Sequence, residues 1–142
     1  MNAIKLNHLD IVKEILMCCS PVQFVLVVCH NLRLVLSLNN TDMIDLILQQ
    51  MLERKMRISN PLIAEREIRR AKSIIDRLFD YIPYYCYNNI VMIRHLYQVW
   101  YANVEFTDHF PYFRENFHDR LTYYAAQYNQ LTAIELLQEI DY

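Results

Sequence analysis

NHLDIVKEIL (Asn7–Leu16), NNTDMIDLIL (Asn39–Leu48), NNIVMIRHLY (Asn88–Tyr97) and NQLTAIELLQ (Asn129–Gln138) are four versions of one decapeptide. Each opens on Asn, most carry an acid or polar residue at the fourth position, and all continue into an apolar run with helical spacing. That pattern predicts a turn entering a helix. Self-similarity recurring along a chain points to stacked helical repeats rather than to one irregular core. The Asn positions lie 32, 49 and 41 residues apart, so the first interval suits a compact two-helix unit and the other two require insertions. The chain has no glycine in 142 residues, where ordinary usage of about 7% would supply roughly ten. Asn is the commonest non-glycine residue to accept the left-handed conformation. Asn7, Asn39, Asn88 and Asn129 are therefore expected as structural turns with positive φ.

The composition, 54% hydrophobic and 21% charged, is that of a chain able to bury a sizeable core. A net charge of −2 argues against a whole-protein polyanion binder. Charge is uneven: eight basic residues face three acidic ones from Arg54 to Arg77, and two basic face seven acidic from Tyr101 to Tyr142. Cys18, Cys19, Cys29 and Cys86 form no regular disulfide pattern, so a reducing, cytoplasmic setting is expected. The most apolar stretch, Pro21 to Leu38, is interrupted by Gln23, His30, Asn31 and Arg33. It reads as a buried core element, not a membrane span.

The expected organisation is a single all-α domain, 1–142, of antiparallel helix pairs, with units at about 1–20, 21–52, 83–100 and 118–142. Met43, Ile44, Ile47, Leu48 and Met51 make the apolar stripe of the second copy. Leu9, Val12, Ile15 and Leu16 serve the first, and Leu131, Ile134, Leu137 and Ile140 the last. The pairs Ala3-Ile4, Val35-Leu36, Tyr84-Tyr85 and Ala125-Ala126, three and four residues before each Asn, are expected to end inner helices in a packed seam. An inserted helix is expected over about 61–80, capped by Ser59 or Asn60 with Pro61 in its first turn, and a short inner helix should begin near Pro83. Residues 101–117, divided by Pro111 and rich in aromatics, read as a loop or short helices. The first and last units look truncated, as in an excerpt of a longer protein.

These residues resemble ankyrin repeats in a degenerate form. Asn7-His8-Leu9-Asp10-Ile11-Val12-Lys13 follows the turn and outer helix of that family, with Asn in place of Gly. Arg120-Leu121-Thr122-Tyr123-Tyr124-Ala125-Ala126 lies where the inner-helix motif belongs, although the family's Thr-Pro start and inner-helix His are absent. The resemblance covers about two thirds of the chain, leaving out 53–82 and 101–117. It implies noncovalent recognition of a protein partner, and it is similar to degenerate ankyrin proteins of large DNA viruses and intracellular bacteria. Such proteins engage host signalling or ubiquitin machinery.

Catalysis is not expected. Without glycine, neither nucleotide-binding fingerprint nor a nucleophile elbow can exist. The cysteines and histidines lack the spacing of a zinc site, so no metal and no cofactor is expected. His8 reads as a hydrogen-bonding turn residue, while His95, His109 and His118 have no sequence-local partner for acid–base work. Arg66, Arg69, Arg70 and Arg77 form the basic face of the inserted helix. Interleaved Glu65 and Glu67 suit them to surface ion pairs or an acidic protein partner better than to nucleic acid. Among the aromatics, Trp100, Tyr112 and Phe113 are the candidate partner-binding residues, and packing of the insertions is the equal alternative. Two further classes stay open, a compact helical bundle holding a partner helix in an apolar groove and a nucleic-acid binder acting through helix 61–80. The sequence leaves oligomeric state open.

Overall fold

A computed structural model describes residues 8–37, 40–56 and 61–140. The described residues form eight α-helices and no strand: α1 Leu9–Cys18, α2 Pro21–Ser37, α3 Thr41–Met56, α4 Pro61–Cys86, α5 Ile90–His95, α6 Val104–His109, α7 Pro111–Gln127 and α8 Leu131–Glu139. A π-helical stretch, Leu96–Tyr101, continues α5. The fold is all-α. The chain divides into two compact units, 1–77 and 78–142, with the division falling within α4.

The decapeptides explain the helix starts. α1, α3, α5 and α8 each begin two residues after a motif Asn, and α2, α4 and α7 each end two residues before one. Two devices accomplish this. In the third copy Asn89, the second residue of the doublet, caps α5 by accepting the Met92 N–H at 3.2 Å, and Asn40 does the same for Met43 N–H at 3.1 Å. In the last copy Asn129 itself adopts φ of 54°. There Gln130 N–H bonds the Ala125 carbonyl at 2.9 Å and Asn129 N–H the Ala126 carbonyl at 3.3 Å. These two bonds close a Schellman turn on the end of α7. Asn129 is the one residue with positive φ among those described, so the left-handed turn expected at Asn88 is replaced by capping at its neighbour. Asn7, Asn39, Ala3 and Ile4 lie outside the described residues. Ser20 and Gln23 bracket the start of α2 reciprocally: Gln23 N–H bonds Ser20 Oγ at 3.3 Å and Ser20 N–H bonds Gln23 Oε1 at 3.0 Å. That is a capping box.

In the first unit α1 and α2 both pack on α3. The stripe Met43, Ile44, Ile47, Leu48 and Met51 is buried, as are Val12 and Leu16 facing it, while Ile15 is exposed, contrary to expectation. α2 buries Phe24, Val28, Leu32, Val35 and Leu36 and exposes His30 and Arg33, so the most apolar stretch of the chain is an amphipathic core helix. No helix among the described residues is long and apolar enough to cross a membrane.

In the second unit α7 packs on α6 and α8, and α8 also packs on α5. The stripe of α8 is Ala133, Leu136 and Leu137. Leu131 is exposed and Ile134 half-buried, because the helix turns on a phase one residue away from the expected one. α4 runs through Pro83 to Cys86, so no separate inner helix begins at Pro83. Pro83 supplies no N–H to the turn before it, and its burial shows that packing outweighs the lost bond. Of the loop or short helices expected over residues 101–117, the structure has helices, α6 and the first part of α7, divided at Pro111. Asn103 caps α6 through the Phe106 N–H at 2.9 Å, and Pro111 stands at the first position of α7.

Candidate functional site

The aromatic residues separate into a buried set and a more exposed set, and the second is the candidate site. Phe79, Trp100, Phe106, Phe110, Phe113 and Phe117 are packed ring to ring. Phe106 lies with its centroid 5.0 Å from Trp100, 4.9 Å from Phe110 and 5.5 Å from Phe113. These are the spacings of edge and tilted ring pairs in a core. Trp100 is 3% and Phe113 1% exposed. Both are core residues, in the packing role that stood as the equal alternative for them. The extended π turn carries Leu96, Tyr97 and Trp100 into the same core as Met92 and Ile93, closed by Ala102 N–H on the Tyr97 carbonyl at 3.2 Å. The Tyr97 hydroxyl meets His118 Nδ1 at 2.7 Å, giving a buried phenol its polar partner.

The second set is made of tyrosines alone, four of them exposed (Tyr81, Tyr84, Tyr123 and Tyr128) and three half-buried (Tyr85, Tyr87 and Tyr124). Tyr81, Tyr84, Tyr85 and Tyr87 come from the end of α4 and the turn after it, and Tyr123, Tyr124 and Tyr128 from the end of α7. Tyr84 meets Tyr124 at 5.3 Å and 73°, Tyr87 stacks on Tyr128 at 4.9 Å and 20°, and Tyr81 stacks on Tyr85 at 5.9 Å. Tyr123 joins through Tyr124 at 5.5 Å. Tyr84, Tyr85 and Ala126, expected in a packed seam, face outward or stand half-buried instead. Tyr81 is 45%, Tyr84 42%, Tyr123 62% and Tyr128 44% exposed. Seven of the eleven tyrosines thus form one connected surface.

The ring contacts rise in step along both helices. Asp80 faces Arg120, Tyr84 faces Tyr124 and Tyr87 faces Tyr128, so the end of α4 and α7 lie side by side and run in the same direction. At the first rung, Arg120 Nε lies 2.8 Å from Asp80 Oδ1. The buried Nε makes this approach as an ion pair without an aligned hydrogen bond. Tyr112, half-buried, donates its hydroxyl to Asp80 Oδ1 at 2.7 Å and accepts from Arg120 Nη2 at 3.4 Å. The bond to the Asp80 carboxylate, aided by burial, pushes the Tyr112 phenol up. Burial pulls Arg120 down, but Asp80 and Tyr112 outweigh it and hold the guanidinium above its ordinary value. On the tyrosine face, repulsion from Tyr84 and, less strongly, partial burial and the other phenols push Tyr128 up. At neutral pH it presents an O–H donor, not a phenolate.

No family model, curated protein or solved structure matches this chain. Its functional reading therefore rests on its own geometry. Among the described residues no group of three or more His, Cys, Asp or Glu is placed to hold a metal ion. Cys18, Cys19, Cys29 and Cys86 are free thiols, and burial raises Cys86 and Cys29 above the ordinary thiol range. His8 is exposed and makes no side-chain cap to α1. Arg69 is exposed, whereas the side chains of Arg66 and Arg70 lie outside the described residues. With Tyr84 and Tyr85 expected in a packed seam and Tyr123 and Tyr124 in an inner-helix motif, sequence reading places none of them on a surface. The signal that separates the tyrosines from the buried rings is spacing: Phe106, Phe110, Phe113, Phe117, Leu121 and Ala125 follow one another at three or four residues and are all buried. Tyr123, Tyr124 and Tyr128 fall off that line.

Proposed function

We propose that this chain is a protein-recognition module whose binding face is the tyrosine surface of α4 and α7. The observation that carries the reading is the convergence of seven tyrosines, four of them exposed, on one face. Tyrosine presents a large, rigid apolar ring with a polar tip and orders at low entropic cost, which is why it is enriched at binding hot spots. A monomer gains nothing from leaving such area in water. Trp100 and Phe113 act behind the face by fixing the helices that present it.

The frame behind the face is read as an ankyrin-like stack. In a repeat stack, successive units are related by near-translation, so equivalent helices lie parallel and touch only their neighbours. The rungs between α4 and α7, the helices preceding Asn88 and Asn129, fit that relation, and so does the packing of α5 on α8, the helices following them. A short-looped up-and-down bundle would make neighbouring helices antiparallel. The resemblance adds a direction: a host-directed factor acting inside the host cell on signalling or ubiquitin machinery.

Affinity capture from cell lysate tests the surface, comparing wild type with a Tyr84→Ala, Tyr123→Ala, Tyr128→Ala variant. Loss of captured proteins with unchanged far-UV circular dichroism is the expected result. An identical set of captured proteins would sink the tyrosine face as the binding surface.

A further inference from the structure

The tyrosine face has an electrostatic character that narrows its partner. Residues 78–142 carry eight acidic and three basic residues, a formal net charge of −5. Of the three, Arg120 is taken up by Asp80 and Arg94 lies on α5. Arg114 and Tyr123 are nine residues apart, about two and a half turns, and so on opposite edges of α7. Glu115 and Asp119, by contrast, precede Tyr123 at four-residue steps on one edge of α7. Both are exposed and have no ion partner among the described residues. Exposed Arg77 lies one turn before Tyr81 on α4, so the face joins open phenol rings to one basic residue at its α4 end and to the carboxylates of Glu115 and Asp119 on α7.

Resting on the recognition reading above, we propose that the partner is a basic peptide segment bearing arginines, with guanidinium groups laid on the rings of Tyr84, Tyr123 and Tyr128 and flanked by the Glu115 and Asp119 carboxylates. An aromatic face attracts a cation through its quadrupole, and the planar guanidinium stacks on such a ring as well. Arginine is favoured over lysine because it is less strongly hydrated and gives up less on leaving water. The surrounding negative field draws a basic segment in and repels an acidic one. An uncharged proline-rich segment would use the rings but leave the carboxylates without a role.

The experiment is a fluorescence-anisotropy titration of the full chain with four labelled peptides of equal length, rich in Arg, Lys, Pro or Glu, at two salt concentrations. Tightest binding of the Arg peptide, weakening with salt, is expected. Tyr84→Leu with Tyr128→Leu, which keeps apolar bulk and removes the rings, should weaken it about tenfold, as two exposed cation–π contacts imply. Glu115→Gln with Asp119→Asn should weaken it and flatten the salt dependence. Equal binding of the Arg and Lys peptides, unmoved by the leucine variant, overturns the proposal and the tyrosine face together. Preferred binding of the Pro peptide that the leucine variant abolishes overturns the basic partner and leaves the face standing. Failure of the Arg peptide to bind, while lysate capture still depends on the tyrosines, has the same meaning. Unchanged Trp100 fluorescence and circular dichroism verify that each variant is folded.

Discussion

Replacing Phe106 by Ala strikes the ring cluster at its centre. Phe106 has no solvent exposure and contacts Phe79, Trp100, Phe110 and Phe113 at centroid distances of 6.2, 5.0, 4.9 and 5.5 Å. Truncating a fully buried Phe costs about 3–5 kcal/mol, combining lost transfer energy with the cavity left behind. Rings held on four sides by other rings cannot collapse into that cavity without abandoning one another, so the upper half of the range, about 4–5 kcal/mol, applies. The unit 78–142, at about 0.05–0.15 kcal/mol per residue, has roughly 3–10 kcal/mol in total. The substitution therefore removes between about half and all of it. Trp100 is the single tryptophan of the chain and touches Phe106, so urea denaturation followed by its fluorescence reports this unit directly. With a urea slope of about 1–1.5 kcal/mol/M, the midpoint should fall by roughly 3–5 M, or the transition should vanish because the unit is already open. Val104→Ala, an exposed position in the same helix, should stay within about 0.5 kcal/mol of wild type. A midpoint change below about 0.5 M for Phe106→Ala would refute the ring cluster as the core of this unit.

Asn129, with φ of 54°, should separate two small substitutions. Asn129→Ala is expected to lose about 1 kcal/mol in urea denaturation, and Asn129→Gly to be neutral or stabilising; equal losses would remove the left-handed turn as the cause. Alkaline pH should destabilise the fold. Cys86, Tyr112 and Tyr128 hold their protons more tightly when folded, against ordinary values of 9.0 for the thiol and 10.0 for the phenols. Above those values the unfolded chain binds fewer protons than the folded one, so stability is full below about pH 9 and falls as pH rises further. Urea midpoints from pH 7 to 10.5 under reducing conditions should decline, less steeply between pH 9 and 10 in Cys86→Ala. A decline of the same slope in that variant would show that the buried thiol is not responsible.

Helix starts were the most legible feature, because a polar residue, a turn and an apolar stripe are local and repeat. The Asn decapeptide marked four of them, and Met43 to Met51 gave the face of α3 outright. Residues 101–117 looked irregular because the segment breaks between α6 and α7, so that the buried line Phe106, Phe110, Phe113 and Phe117 is shared by two helices. Asn103 and Pro111 were the available start signals for α6 and α7. Pro83 misled in the opposite sense, since its local penalty is outweighed by burial that no local pattern reveals. The candidate site suffered most. Whether a tyrosine faces the core or water depends on the packing of α4 beside α7, forty residues away in sequence, and composition treats Trp100 and Tyr123 alike.

The rungs between α4 and α7 differ in how well they tell right from wrong. Tyr84 on Tyr124 and Tyr87 on Tyr128 are nearly interchangeable: a slip of α7 by one turn would bring Tyr128 to Tyr84 and still set tyrosine on tyrosine. Asp80 and Arg120 have no such substitute. A half-exposed pair of this kind contributes little free energy, yet it is the rung that recognises a particular opposite number and penalises misregister. Its worth is discrimination between alignments: a cheap key that keeps a soft, repetitive contact from sliding.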